Sequence, residues 1–145
     1  MNWMSLALGA GGVIAVQAAV NSRLGRELGH PALATCASFA IGTLCILLYC
    51  LLVRLTIPST QTLLRVPVWA WFGGLLGTIY VLAVITTTPK LGVGTVAGLT
   101  VAGQMIMAVA LDHFGLLGLE RHPISLGRLA GMALLIVGVV LLKRF

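Results

Sequence analysis

Charge is what this chain has least of. Nine Lys and Arg and three Asp and Glu make up 8% of its 145 residues, against about 25% in an ordinary soluble domain. So few charges cannot cover a water-facing surface, which excludes a soluble globular protein of this size. Strand patterning is also missing: no ten-residue stretch alternates apolar and polar side chains, so a transmembrane β-barrel is not expected. The first residues, MNWMSLALGAGGVIAVQAAV, lack the basic segment of a secretory signal, and the apolar character recurs to the end of the chain. Zinc-protease, phosphate-loop and nucleophile-elbow motifs are absent, as is any metal-ligand cluster, so no enzyme and no cofactor is expected. Three cysteines, Cys36, Cys45 and Cys50, fall in one apolar run at spacings that fit no metal site, and read as packing. The net charge of +6 does not indicate nucleic acid, because the basic residues stand singly or in pairs at the edges of apolar runs rather than in a stripe.

What is present is oil. Hydrophobic residues make up 59% of the chain and the mean hydropathy is +1.10. The solvent is lipid, where every backbone polar group must be satisfied within its own helix over about 20 residues. Five stretches are long enough: residues 3–21, 31–53, 67–88, 93–112 and 124–142. Pro31, Pro67 and Pro123 stand at or just before span starts, where a missing N–H costs little. Pro89 is expected to close the third span. Thr86, Thr87 and Thr88 are expected to bond back to helix carbonyls and fray the end before it. RLTIPSTQTLLR reads as a polar loop between the second and third spans. Trp69 and Trp71 mark an interfacial belt. The expected fold is an all-α membrane protein, a single transmembrane domain of five helices.

Glycine recurs at helical spacing in the spans: Gly73 and Gly77, Gly94 and Gly98, Gly127 and Gly131 with Gly138 one heptad on. Small residues one turn apart let helix backbones approach closely in lipid. The Gly127, Gly131 and Gly138 face is the candidate seam for a partner chain.

An odd number of spans puts the two termini on opposite sides. One side carries Arg54, Arg65, Arg121 and Arg128, the other Arg23, Arg26, Lys90, Lys143 and Arg144. Membrane proteins of fixed orientation normally show a clear excess on the cytoplasmic side. The near-balance here is compatible with insertion either way round; the alternative is that loop position outweighs the count and one orientation wins. Transporter folds are commonly two inverted repeats around a site at mid-membrane. Five helices are half of such an object, and two antiparallel copies, or this chain with a related chain of opposite orientation, rebuild the ten-helix arrangement.

No Asp, Glu, Lys or His occupies the middle of a span, so the costly groups there are amides. Gln104 lies about 15 Å along its span, near the bilayer midplane, and must find a hydrogen-bond partner. Asp112 and His113 lie roughly 27 Å along, at the far interface. An acid at a helix C-terminus opposes the macrodipole, so a compensating cation is expected from Arg121 or Arg128; Arg128, one turn into the last span, is expected to snorkel. Gln17 and Asn21 are four apart on one face of the first span. Tyr80 stands deep in the third. Such amides either tie helices together or line a substrate cavity, and both readings stand for Gln17 and Gln104.

LALGAGGVIAVQAAVNSRLGRELG, PVWAWFGGLLGTIYVL, PKLGVGTVAGLTVAGQMIMAVALDHFGLLGL and GMALLIVGVVLLKRF together resemble the YdcZ-like five-helix group of the drug/metabolite transporter superfamily over nearly the whole chain. QAAVNSRLG and GQ…LDHFG are its most specific pieces. The resemblance implies an inner-membrane location, antiparallel pairing and, through the superfamily, transport. Small multidrug resistance relatives use a glutamate in their first helix; none stands there in this chain, so their cation/proton exchange chemistry is not implied. The expectation is a secondary transporter of small organic molecules, in contact with membrane lipid, with Gln17, Asn21, Tyr80, Gln104, Asp112 and His113 as candidate substrate contacts. The alternative is a non-transporting membrane subunit that stabilises another membrane protein.

Overall fold

The computed structural model describes residues 2–144. Among them five helical segments are long and apolar enough to cross a membrane, and none of the described residues is in a strand. The order is α1 (Trp3–Glu27), α2 (Pro31–Leu52), α3 (Thr60–Arg65), a 3₁₀ segment (Val68–Phe72) leading into α4 (Gly73–Leu91), α5 (Val93–Phe114), a 3₁₀ turn (Leu116–Gly118) and α6 (Leu126–Arg144). The chain divides into two compact units, Met1–Lys90 and Leu91–Phe145.

In the first unit α1 and α2 form a hairpin joined by three residues. Leu28 donates its N–H to the Leu24 carbonyl at 2.9 Å and Gly29 to Arg26 at 3.2 Å. Gly29 has φ +77°, a left-handed conformation that side-chain-bearing residues rarely adopt. His30 then caps α2, its Nδ1 accepting from the Ala32 N–H at 3.1 Å, and Pro31 occupies the first helical position. The α1–α2 contact is small-residue packing. Asn21, Ser22 and Gly25 of α1 and Ala34 and Thr35 of α2 are buried. A Cβ on Gly25 would meet Ile85 Cγ2 of α4 at 3.0 Å, Pro31 Cα at 3.6 Å and Ala34 Cβ at 3.7 Å, so three helices converge on that one position.

The second unit is the α5–α6 pair. Val96, Ala102 and Val109 of α5 and Val139 of α6 are buried. A Cβ on Gly98 would lie 2.8 Å from Val139 Cγ2, so glycine sets the closest approach of these two helices. Elsewhere the large apolar side chains point outward; Leu8 is 81% exposed on the single chain. In lipid that exposure costs nothing, because hydrocarbon solvates leucine as well as another leucine does.

Four expectations change. α1 does not stop near Asn21 but continues to Glu27, because Arg23 and Glu27 pair across one helical turn at 3.6 Å and the glycine that ends the helix comes only at position 29. Pro89 does not close the third span: α4 runs through it to Leu91. The helix does not fray before it. Thr86 and Thr87 donate to the Leu82 and Ala83 carbonyls at 2.7 and 2.8 Å, whereas the buried Thr88 hydroxyl has no partner. The polar connector is not all loop, since Ser59 caps α3 by accepting from the Thr62 N–H at 3.3 Å.

Candidate membrane-depth site

Gln17, Asn21 and Tyr80 come together. They border a narrow cleft between α1 and α4, walled by Ile14, Ala18, Val84 and Ile85, with a volume of about 10 Å³, room for about one water molecule. Asn21 is buried, and its Nδ2 donates to Ser38 Oγ of α2 at 3.1 Å. That bond ties α1 to α2 across the hairpin. Tyr80 is half-buried, while Gln17 is exposed on the single chain. The Asn21–Ser38 pair had only one half visible in sequence: Ser38 is one hydroxyl in a run of apolar residues, and nothing local marks it as a partner.

Gln104 belongs to the second unit. It stands eleven residues after Val93, about 16 Å along α5, near the middle of that helix. It too is exposed on the single chain. Neither Gln17 nor Gln104 forms a side-chain hydrogen bond among the described residues. Each carries an amide at a depth where its alternative surroundings are hydrocarbon.

Asp112 and His113 sit at the end of α5 in a different setting. Gly115, with φ +61°, turns the chain out of the helix. The segment that follows folds back onto α5: the His122 N–H donates to the Asp112 carbonyl at 2.8 Å and the Ile124 N–H to His113 Nδ1 at 3.2 Å. A bond accepted at Nδ1 places the ring proton on Nε2. Arg121 Nε donates to the His113 carbonyl at 2.9 Å, covering an otherwise open carbonyl of the last helical turn. Arg128 Nη1 lies 3.2 Å from Asp112 Oδ2 and also donates to the His122 carbonyl at 3.3 Å. The two arginines considered for this helix end thus divide the task, Arg128 taking the carboxylate and Arg121 the backbone. The arrangement is a latch that fixes the 115–125 connector to the end of α5 and the first turn of α6.

The glycines of the last span are open. Gly131 and Gly138 have nothing within 4 Å of where a Cβ would stand, and Gly127 meets only its own neighbour Ser125 Oγ at 3.9 Å. Gly131 and Gly138 line an apolar groove of about 540 Å³ along α5 and α6, with Gly94, Gly98 and Leu142 among its walls. Cys36 and Cys45 are exposed on the single chain and none of the three cysteines is bonded. Among the described residues, no three His, Cys, Asp or Glu side chains gather as metal ligands would.

Sequence reasoning did not single out Ser22 and Ser38. Both hydroxyls acquire meaning only when α1, α2 and α4 are packed together.

No curated protein matches the chain, and no solved structure does. One family does, described as "Putative inner membrane exporter, YdcZ", and it matches residues 2–141, the greater part of the sequence and all five long apolar helices. The protein is a multi-pass inner-membrane protein, and it belongs to the YdcZ family.

Proposed function

We propose that the chain is one half of a secondary transporter for small organic molecules, a single five-helix transmembrane domain that acts as an antiparallel pair of copies or with a homologous chain of opposite orientation. The observation that carries this reading is the pair of amides, Gln17 and Gln104, exposed at membrane depth with their hydrogen-bonding capacity unused on the single chain. Leaving such a group unpaired in hydrocarbon costs several kcal/mol, roughly 4–8 by transfer from water to an alkane. Lipid cannot supply the partner; another chain or a polar solute in a water-filled cavity can. The cleft beside Gln17 holds only about one water, and in this reading a second subunit completes the substrate space. Gln17 and Tyr80 on the first unit and, taken separately, Gln104 on the second are the solute contacts in this reading, and Asn21 holds Gln17's helix against α2. Asp112 and His113 stand at the mouth, with the Asp112 carboxylate already committed to Arg128. The nearly even division of basic residues between the two sides supports antiparallel pairing, and the open groove at Gly131 and Gly138 offers a face for it.

The test begins with a thermal-shift screen of purified protein against amino acids, sugars and cationic drugs, since a ligand that binds only the folded state raises its stability. The best hit is then followed as flux into liposomes. Gln104→Leu is expected to abolish saturable flux while leaving the yield of cross-linked dimer intact. Loss of the dimer instead makes Gln104 an interhelical tie. No saturable ligand, together with a stoichiometric unrelated membrane protein in pull-downs, replaces the transporter with an accessory subunit.

A further inference from the structure

We propose that the first unit contains a binding site for an anionic oxygen group, a carboxylate or phosphate, in the open pocket where the C-terminal turns of α1 and α4 meet the N-terminus of α2. The pocket has a volume of about 320 Å³ and is bordered by Ser22, Arg26, Pro31, Ile85 and Lys90 among others. It shares only Ile85 with the Gln17 cleft and does not depend on the transport reading.

Residues 1–90 hold one acid, Glu27, against five bases, Arg23, Arg26, Arg54, Arg65 and Lys90. Glu27 is engaged by Arg23 at 3.6 Å. Neither Arg26 nor Lys90 has an ion-pair partner among the described residues, and no acid borders the pocket they share. Helix ends modify this only in part. The C-termini of α1 and α4 each contribute about half a negative charge and the N-terminus of α2 about half a positive one, so two full cations leave the pocket positive by about 1.5 charges.

The second observation is independent of charge. Ser22 is 3% exposed, and its Oγ has no hydrogen-bond partner. Serine and threonine in a membrane helix ordinarily spend the hydroxyl proton on a carbonyl one turn back. Thr35, Thr78, Thr86 and Thr87 all do so here, at 2.7–3.0 Å. Ser22 does not, and a buried unused donor is costly, about 1–3 kcal/mol. Ser22 borders the pocket with its hydroxyl closed to solvent, and rotation about its Cα–Cβ bond brings that unused donor to an oxyanion whose remaining oxygens face the guanidinium and the ammonium. Arg26 and Lys90 are exposed and lie at helix ends, beyond the most apolar part of each span, so both a lipid phosphate and a dissolved anion have access.

The experiment uses full-length protein in phosphatidylcholine nanodiscs and reads thermal stability in two arms at matched ionic strength. One titrates inorganic phosphate against potassium chloride; the other replaces part of the phosphatidylcholine by phosphatidylglycerol. A saturable stabilisation is expected. Response to phosphate assigns a soluble oxyanion; response to phosphatidylglycerol alone assigns the headgroup. Arg26→Gln and Lys90→Gln are each expected to weaken the apparent affinity at least about tenfold, the scale of a charge-assisted hydrogen bond, and Lys90→Arg to retain it. Ser22→Ala removes a hydroxyl that the fold itself does not use, so its folding is unimpaired and its affinity falls about threefold to tenfold. No saturable response in either arm overturns the proposal, and so does a response unchanged in Ser22→Ala and in the two charge variants.

Discussion

Gly98 is where a single methyl group tests how α5 and α6 are held. Alanine there places Cβ 2.8 Å from Val139 Cγ2, 3.5 Å from Cγ1 and 3.6 Å from Cβ. Carbon atoms pack at about 3.5–4.0 Å, so the first contact must open by nearly 1 Å. Val139 cannot turn aside easily: it is buried, 6% exposed, and a β-branched residue in a helix has one favoured rotamer. Overpacking of this kind costs about 1–3 kcal/mol. The helix preference of alanine over glycine returns up to about 1 kcal/mol, leaving a net loss of up to about 2 kcal/mol. The sign is decided by a cycle. With Val139→Ala the obstructing methyls are gone, and Gly98→Ala becomes neutral or stabilising by up to about 1 kcal/mol, a coupling of about 1–3 kcal/mol. Gly103→Ala is the control, since nothing lies within 4 Å of its Cβ position on the same helix. Reversible unfolding in mixed micelles by titration with dodecyl sulfate measures all of these. If Gly98→Ala has the same effect in both backgrounds, the helices do not meet at this glycine and the account of the second unit is wrong.

Two further outcomes follow from side chains already placed. Asn21→Ala loses the 3.1 Å bond to Ser38 and is expected to cost roughly 0.6–2 kcal/mol, with Ser38→Ala costing about as much and the double variant little more than either; additive losses in the same titration disprove the pairing. Arg128→Gln leaves Asp112 without its cation, but the two side chains are 36% and 32% exposed, so solvent screening limits the loss to about 1 kcal/mol. Its clearer sign is faster limited proteolysis within 115–125, and an unchanged cleavage rate means that the ion pair does not hold the connector.

The long helices were readable because lipid leaves the backbone so few choices: a run of about 20 apolar residues has to be helical whatever its neighbours do. Their ends were less readable, because the end of an apolar run and the end of a helix are different events. α1 leaves its apolar stretch near Asn21 and keeps winding to Glu27 on polar residues, stopping only where a left-handed glycine turns the chain. Pro89 illustrates the opposite error. Proline in a last turn forfeits the bond to the Ile85 carbonyl but leaves the helix two residues to finish. At the end of α5, the need for a cation beside Asp112 followed from the helix dipole alone; which arginine supplies it depends on how the connector folds back, and no local signal encodes that. Ser22, Ser38 and the pocket at Arg26 and Lys90 depend on helices distant in sequence arriving together, so periodicity and motif reading pass over them.

The three-residue turn between α1 and α2 bears on how the polypeptide acquires its orientation during synthesis. Everything that turn requires, from Leu24 to Ala32, and the whole of α2 to Leu52 emerge before α4 has been made. Contacts this local form quickly. Arg23 and Arg26 therefore meet the insertion machinery as part of a paired hairpin, while Lys143 and Arg144 follow only after α5 has been made. A tally of basic residues that looks even is weighted by order of synthesis, and exchanging charges in the α1–α2 hairpin is expected to reorient the protein more readily than exchanging the same charges at the end of α6.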